Sequence, residues 1–294
     1  MKLATSILFL ISSFLTLDEY HSCKQVNNLW KNILKSDTNL KLLSKMTRTC
    51  RIKYIKRFKF PKFVHNFGLH KQNIIVSLFR AAFSIYDSDG KKIGRIKLSN
   101  RYYEIYSTFR ICANDKYICS FDNGNIKIFT DVNKPADYSW NINISNIFGF
   151  IEHNEYIFLT TVDKICKYDF NGNLCCENKL PSIEKGTCWI FKNMTAFNET
   201  IFMVDSCFKC VRVFSLDCKE ITTWHNEKLN YPRNISINNN YIYVLDKSNI
   251  FIFDINGNFI HEIFNTTLIN INFTNNQIYV TNTFTNMFVF SIFP

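Results

Sequence analysis

The sequence predicts a mainly β chain: a six-bladed β-propeller over residues 46–294, preceded by a small α-helical module over residues 1–45. Three observations predict it. A unit of about 40 residues recurs from residue 60 to the end, the length of a four-stranded blade. Two turn markers recur in register with that unit. The last copy stops one strand short, and a spare strand-like segment stands ahead of the first copy. Seven blades is the alternative count.

The amino-terminal element comes first. Leu3, Ile7, Leu8, Ile11, Phe14 and Leu15 recur at three- and four-residue spacing, one face of a helix. Asp18 can cap a second helix, which carries Tyr20, Cys23, Val26 and Trp30 at the same spacing. So small a unit cannot bury this face within itself, and the face needs another chain or the rest of this one. The alternative is a signal peptide, with Met1-Lys2 ahead of an apolar Leu3–Leu17. Five Ser and Thr dilute that stretch, and no A-x-A-like cleavage site follows it.

These residues resemble the F-box. Its pattern is met at Leu3, Ile7-Leu8, Ile11, Phe14-Leu15, Glu19-Tyr20, Val26 and Trp30, with Ala4 where the family usually has Pro. The loss of that Pro weakens the start of the first helix and leaves the apolar face intact. The resemblance implies docking on a Skp-type adaptor, and through it on a cullin–RING ubiquitin ligase. Leu3, Ile7, Leu8, Ile11, Phe14, Leu15, Val26 and Trp30 are the implied adaptor contacts, and the rest of the chain would hold a target protein. The expected place is the cytoplasm (a host's cytoplasm if the source is viral), with the nucleus as an alternative.

The repeat follows. Its clearest copy, Asn234–Phe264, divides at turn residues into four strands, ISIN, YIYVLD, IFIFD and FIHEIF. The copies align on an aromatic near the end of the third strand: Tyr86, Phe129, Tyr168, Phe214, Phe253 and Phe290. Three of these continue with an acid at the next position and Gly three further on: Asp87 and Gly90, Asp169 and Gly172, Asp254 and Gly257. Gly supplies the positive φ that a tight turn needs. The second marker is the turn before the second strand, at Asn114-Asp115, Asn154-Glu155, Asn198-Glu199, Asn239-Asn240 and Asn275-Asn276. The blades expected are 61–100, 108–145, 147–181, 190–227, 232–264 and 267–294. Residues 52–60, IKYIKRFKF, would supply the strand that the last copy lacks, closing the ring. The unit resembles NHL-type propellers, and it shows no consistent Gly-His and Trp-Asp pattern of WD repeats.

Composition agrees with a folded β chain: 47% of residues are hydrophobic, 20% are charged and 29 are Phe. Eight Gly and five Pro exclude collagen-like and low-complexity classes. The net charge of +11 raises a nucleic-acid partner as a question. Frequent Asn, Lys, Ile, Phe and Tyr, which AT-rich codons encode, explain that charge without one. Six of the twelve residues from Arg51 to Lys62 are basic, interleaved with Tyr54, Phe58 and Phe60. The favoured reading is an edge strand with Lys on its wet side, and the alternative a strip that tracks phosphates. Eleven scattered cysteines fit a reducing compartment. The six N-x-S/T sites, Asn143, Asn193, Asn198, Asn234, Asn265 and Asn272, are expected by chance in so Asn-rich a chain.

No chemistry-bearing motif emerges. Cys207-x-x-Cys210 has no second ligand pair for zinc, and Cys175-Cys176 read as structural thiols. His21, His65, His70, His153, His225 and His261 fall in no metal or catalytic spacing. The expectation is a non-catalytic chain with no cofactor and no metal. The rival readings are a secreted ligand-binding ring, an RNA-binding ring and a propeller enzyme. A glycan at Asn193 or Asn234 would favour the first. An asymmetric cluster of acid and histidine at the ring's mouth would favour the last.

Overall fold

A computed structural model of the chain describes residues 51–293 apart from 61–63, 72, 79–81, 98–109, 123, 132–133, 135, 145–146, 182–192, 239, 247–248, 265–267, 275–276 and 283–285. The helical module expected over 1–45, with its adaptor contacts Leu3 to Trp30, lies outside the described residues. Those described form 24 strands and no helix.

β1 (Arg51–Lys59) comes first. Blade 1 then follows as β2 (Val64–His70), β3 (Asn73–Leu78), β4 (Ala82–Tyr86) and β5 (Lys92–Lys97). Blade 2 is β6 (Arg110–Ala113), β7 (Ile118–Asp122), β8 (Asn125–Phe129) and β9 (Tyr138–Asn141). Blade 3 is β10 (Gly149–His153), β11 (Tyr156–Thr160), β12 (Lys164–Asp169) and β13 (Leu174–Lys179). Blade 4 is β14 (Met194–Phe197), β15 (Thr200–Asp205), β16 (Cys210–Ser215) and β17 (Glu220–His225). Blade 5 is β18 (Asn234–Asn238), β19 (Tyr241–Leu245), β20 (Asn249–Asp254) and β21 (Phe259–Phe264). The last blade holds β22 (Leu268–Thr274), β23 (Gln277–Asn282) and β24 (Asn286–Phe293).

Each blade is an antiparallel sheet of four strands, and the described residues make six such sheets. The innermost strands β2, β6, β10, β14, β18 and β22 meet in that cyclic order, and β22 meets β2. The last blade takes its outermost strand from the other end of the chain. β1 pairs with β24, Ile52 opposite Ile292 and Phe58 opposite Met287. Main-chain hydrogen bonds therefore tie the ring shut.

The core lies in the seams between blades. The second strand of a blade is buried on both faces, so it reads as an unbroken apolar run. In β15, Ile201 and Met203 pack towards blade 3 beside Phe158 and Ile165. Phe202 and Val204 between them pack towards blade 5 beside Ile242 and Phe251. β11 does the same, with Ile157 and Leu159 on one seam and Phe158 on the next. The outer strands are mostly exposed instead, with β13 alternating along most of its length.

The Asp–Gly hairpins repeat one geometry. Asp169 accepts from the backbone N–H of Asn171 (2.9 Å) and of Asn173 (2.8 Å), and Gly172 N donates to Asp169 O (3.1 Å). Asp87 and Asp254 do the same in their turns. A bulge sits at the aromatic anchor of each of these three hairpins, between Ile85 and Tyr86, Lys167 and Tyr168, and Ile252 and Phe253. A tight turn followed by a left-handed residue produces such a bulge. Gly90, Gly172 and Gly257 have φ of 81°, 87° and 88° and rest on Phe58, Trp140 and Trp224 of the preceding blade's outer strand. Blade 4 keeps the turn with other residues. Ser215 takes the Asp place, and Cys218, at φ 60°, takes the Gly place. Cys218 meets Cys176 of blade 3, Sγ to Sγ at 3.4 Å.

Candidate functional site

The inner strands surround a channel on the ring axis, a cavity of about 260 Å³ lined by residues of all six blades. An innermost strand has no sheet neighbour on its axial side, so its backbone groups there need partners. Asparagines supply them. Phe67 N donates to Asn66 Oδ1 (2.8 Å), Met194 N to Asn193 Oδ1 (2.9 Å) and Phe273 N to Asn272 Oδ1 (2.8 Å). Asn66 Nδ2 also donates to Ile111 O of the next blade (3.3 Å).

At the mouth formed by the turns between first and second strands, polar side chains link blade to blade. His70, the last residue of β2, lies with Nδ1 2.7 Å from the carbonyl oxygen of Asn114 in blade 2. His153, the last residue of β10, lies with Nε2 2.6 Å from the carbonyl oxygen of Asn198 in blade 4. A carbonyl only accepts, so His70 carries its proton on Nδ1 and His153 carries one on Nε2. Burial lowers the His70 pKa, against the opposing pull of the Asn114 carbonyl. Asn114 Nδ2 donates to Glu152 Oε2, and Glu155 N donates to Glu152 Oε1 (2.9 Å). Burial raises the Glu152 pKa, and these two donors only partly offset it. Glu155 takes the Lys116 ammonium and the Tyr117 hydroxyl (3.1 Å). Those hydrogen bonds, from Lys116 first, hold its pKa down.

Glu152, His153, Asn114 and the channel asparagines are functional candidates that no motif in the sequence marks. A signal was present, because bonded partners stand one repeat apart: His70 and Asn114 by 44 residues, His153 and Asn198 by 45.

Phe58 and Phe60 of the basic stretch are 6% and 2% exposed and sit in a seam, while Arg57 and Lys59 are exposed. The two buried rings cannot stack on bases. Asn234 is 4% exposed, and Asn193 and Asn272 line the same channel. A glycan on any of the three would have to fill the axis, so the folded ring excludes it. Cys207 lies in a turn and Cys210 is buried as the first residue of β16, and Cys175 and Cys176 lie on β13. Among the described residues no group of three His, Cys, Asp or Glu is placed to hold a metal. No helix among them is long and apolar enough to cross a membrane.

No protein-family model matches the chain. No curated protein matches it either. Solved structures do. The chain is similar to a streptogramin B lyase, at 14% identity and a TM-score of 0.59, over 79% of this chain and 81% of that one. It is similar to BamB from Moraxella catarrhalis, at 15% identity and a TM-score of 0.51, over 76% of this chain and 70% of that one. The computationally designed protein Ika8 matches at 11% identity and a TM-score of 0.52, over the same shares. Likeness at this identity carries the fold and no activity, and the fold it carries is the β-propeller.

Proposed function

We propose that the chain is a non-catalytic receptor subunit of a Skp–cullin–F-box type ubiquitin ligase. Residues 1–45 dock on the adaptor through Leu3, Ile7, Leu8, Ile11, Phe14, Leu15, Val26 and Trp30, and the propeller holds the target. The spacing of those apolar residues, ahead of an interaction fold, carries the reading. A receptor contributes proximity and orientation to ubiquitin transfer and needs no nucleophile of its own. The ring supports this by the use it makes of its axial polar groups, since His70, Asn114, His153 and Asn66 are engaged in bonds between blades.

A propeller enzyme is the second reading, because Glu152 and His153 sit together on one side of the mouth. The hydrogen bonds weigh against it. Glu152 accepts from Asn114 and Glu155, and His153 Nε2 is held by the Asn198 carbonyl, so both side chains are engaged in contacts between or within blades.

The test is co-purification of the tagged full chain with a Skp-type adaptor and cullin, beside a Leu15→Ala/Trp30→Ala double variant. Interface anchors cost about 2 kcal/mol or more each, so the folded variant loses the adaptor. Failure of the wild type to capture the adaptor overturns the receptor reading.

A further inference from the structure

We propose that the axial channel accepts one cationic side chain, a lysine or arginine of a target polypeptide, seated on the carboxylate of Glu152. That the cation belongs to a polypeptide rests on the receptor reading; that the channel takes a cation does not.

Three observations carry it. The first is charge. The chain has a net charge of +11 and 35 Lys and Arg, yet none of the described residues lining the channel is a lysine or arginine, and its one imidazole, His153, is tied to the Asn198 carbonyl. The one carboxylate among them is Glu152. The second is pairing. Both described partners of Glu152, Asn114 Nδ2 and the backbone N–H of Glu155, are neutral donors. The nearest ammonium, Lys116, is taken by Glu155, which does not line the cavity. A partly buried carboxylate with no ion-pair contact among the described residues is a costly arrangement, and burial pushes this one's pKa up although His153 and Lys116 pull it down from a distance. An entering ammonium or guanidinium would supply the missing charge, and each Glu152 oxygen keeps a lone pair for it.

The third observation is space. A cavity of about 260 Å³ holds several waters, which one extended side chain would displace. Asn272, Asn234 and Asn193, which also line the channel, are uncharged and do not repel a cation.

The experiment titrates the full chain with N-acetyl-arginine amide and N-acetyl-lysine amide, and with the neutral N-acetyl-citrulline amide and N-acetyl-norleucine amide. Binding is read by calorimetry and by amide chemical shifts around Glu152. The cationic probes bind at least tenfold tighter than the neutral ones, the discrimination that one hydrogen-bonded charge gives. Glu152→Gln abolishes that preference, and the distant Glu177→Gln retains it within twofold. Equal binding of charged and neutral probes, or binding of neither to the folded wild type, overturns the proposal. The wild-type comparison decides the matter even if Glu152→Gln does not fold. A spermidine arm separates the sources: spermidine binding tenfold tighter than either amide overturns the polypeptide origin of the cation. Adaptor capture is scored on the same preparation. Capture with no charge preference overturns the channel site alone, and charge preference without capture supports the channel site while overturning the receptor reading.

Discussion

Gly257 lies against the indole of Trp224 so closely that a Cβ on the glycine would stand 2.5 Å from a ring carbon. The glycine belongs to blade 5 and the indole to the outer strand of blade 4. The pair joins a requirement of the backbone, φ of 88°, to a requirement of the seam. Gly257→Ala breaks both. It should destabilise the fold by at least about 2 kcal/mol, from a left-handed cost of about 1–2 kcal/mol plus displacement of the ring. Urea unfolding measures it. In the background of Trp224→Ala the same change costs less, because the obstructing ring is gone. An unchanged midpoint for Gly257→Ala would contradict the contact.

Phe202 and Ile221 belong to the same blade and should differ sharply on truncation. Phe202 fills the seam between blades 4 and 5, whereas Ile221 is 59% exposed. Phe202→Ala should cost about 3–5 kcal/mol, with Ile221→Ala within about 0.5 kcal/mol of wild type. Equal unfolding midpoints for the two would mean that the core does not lie in the seams.

Asp205 is fully buried and accepts from Arg212 Nε (3.0 Å), whose Nη1 also reaches Glu220 (3.0 Å). Asp205→Ala leaves a buried guanidinium without its inner partner and should cost about 3–5 kcal/mol. A double-mutant cycle with Arg212→Met tests this, since removal of both charges should cost less than the sum of the single changes.

His70 sets a pH dependence. Burial lowers its folded pKa below the ordinary 6.5, so the unfolded chain binds the proton more tightly. The stability this neutral imidazole contributes is whole above about pH 6.5 and is lost as pH falls towards the folded pKa. The thermal midpoint should fall between pH 7.5 and 5.5, and His70→Gln should flatten that fall. An equal slope in the variant would place the titration elsewhere.

The features of the fold that are legible in the sequence are those with a local cause. Asp169 and Gly172 mark a turn because one carboxylate caps backbone groups two and four residues on, and only a left-handed residue closes the bend. The run Ile201–Val204 reads as a fully buried strand because its residues alternate between two seams. The segment 52–60 reads as a spare strand, and β1 lies against β24. What was not legible has partners one repeat away. Asn114 and Glu152 look like a surface turn residue and a strand residue until the ring brings them together. Cys218 hides the turn of blade 4, since a cysteine at positive φ stands where the pattern expects Gly. The channel site was missed for the same reason, as each inner strand gives it only a few residues that look ordinary in their own strand.

The pairing of β1 with β24 sets an order of events in the making of the protein. Blades 1 to 5 each draw all four strands from one continuous stretch, so each sheet can assemble as its stretch leaves the ribosome. The final sheet cannot, because Arg51 must wait for Phe293. Until then β1 and the face of blade 1 that packs on the last blade, with Phe67, Ile74 and Val76, wait uncovered in the nascent chain, where chaperones and proteases can reach them. Loop closure over that span makes this the slowest kind of contact to form. Quality control of this protein would therefore read one event, the return of the last strand to the first.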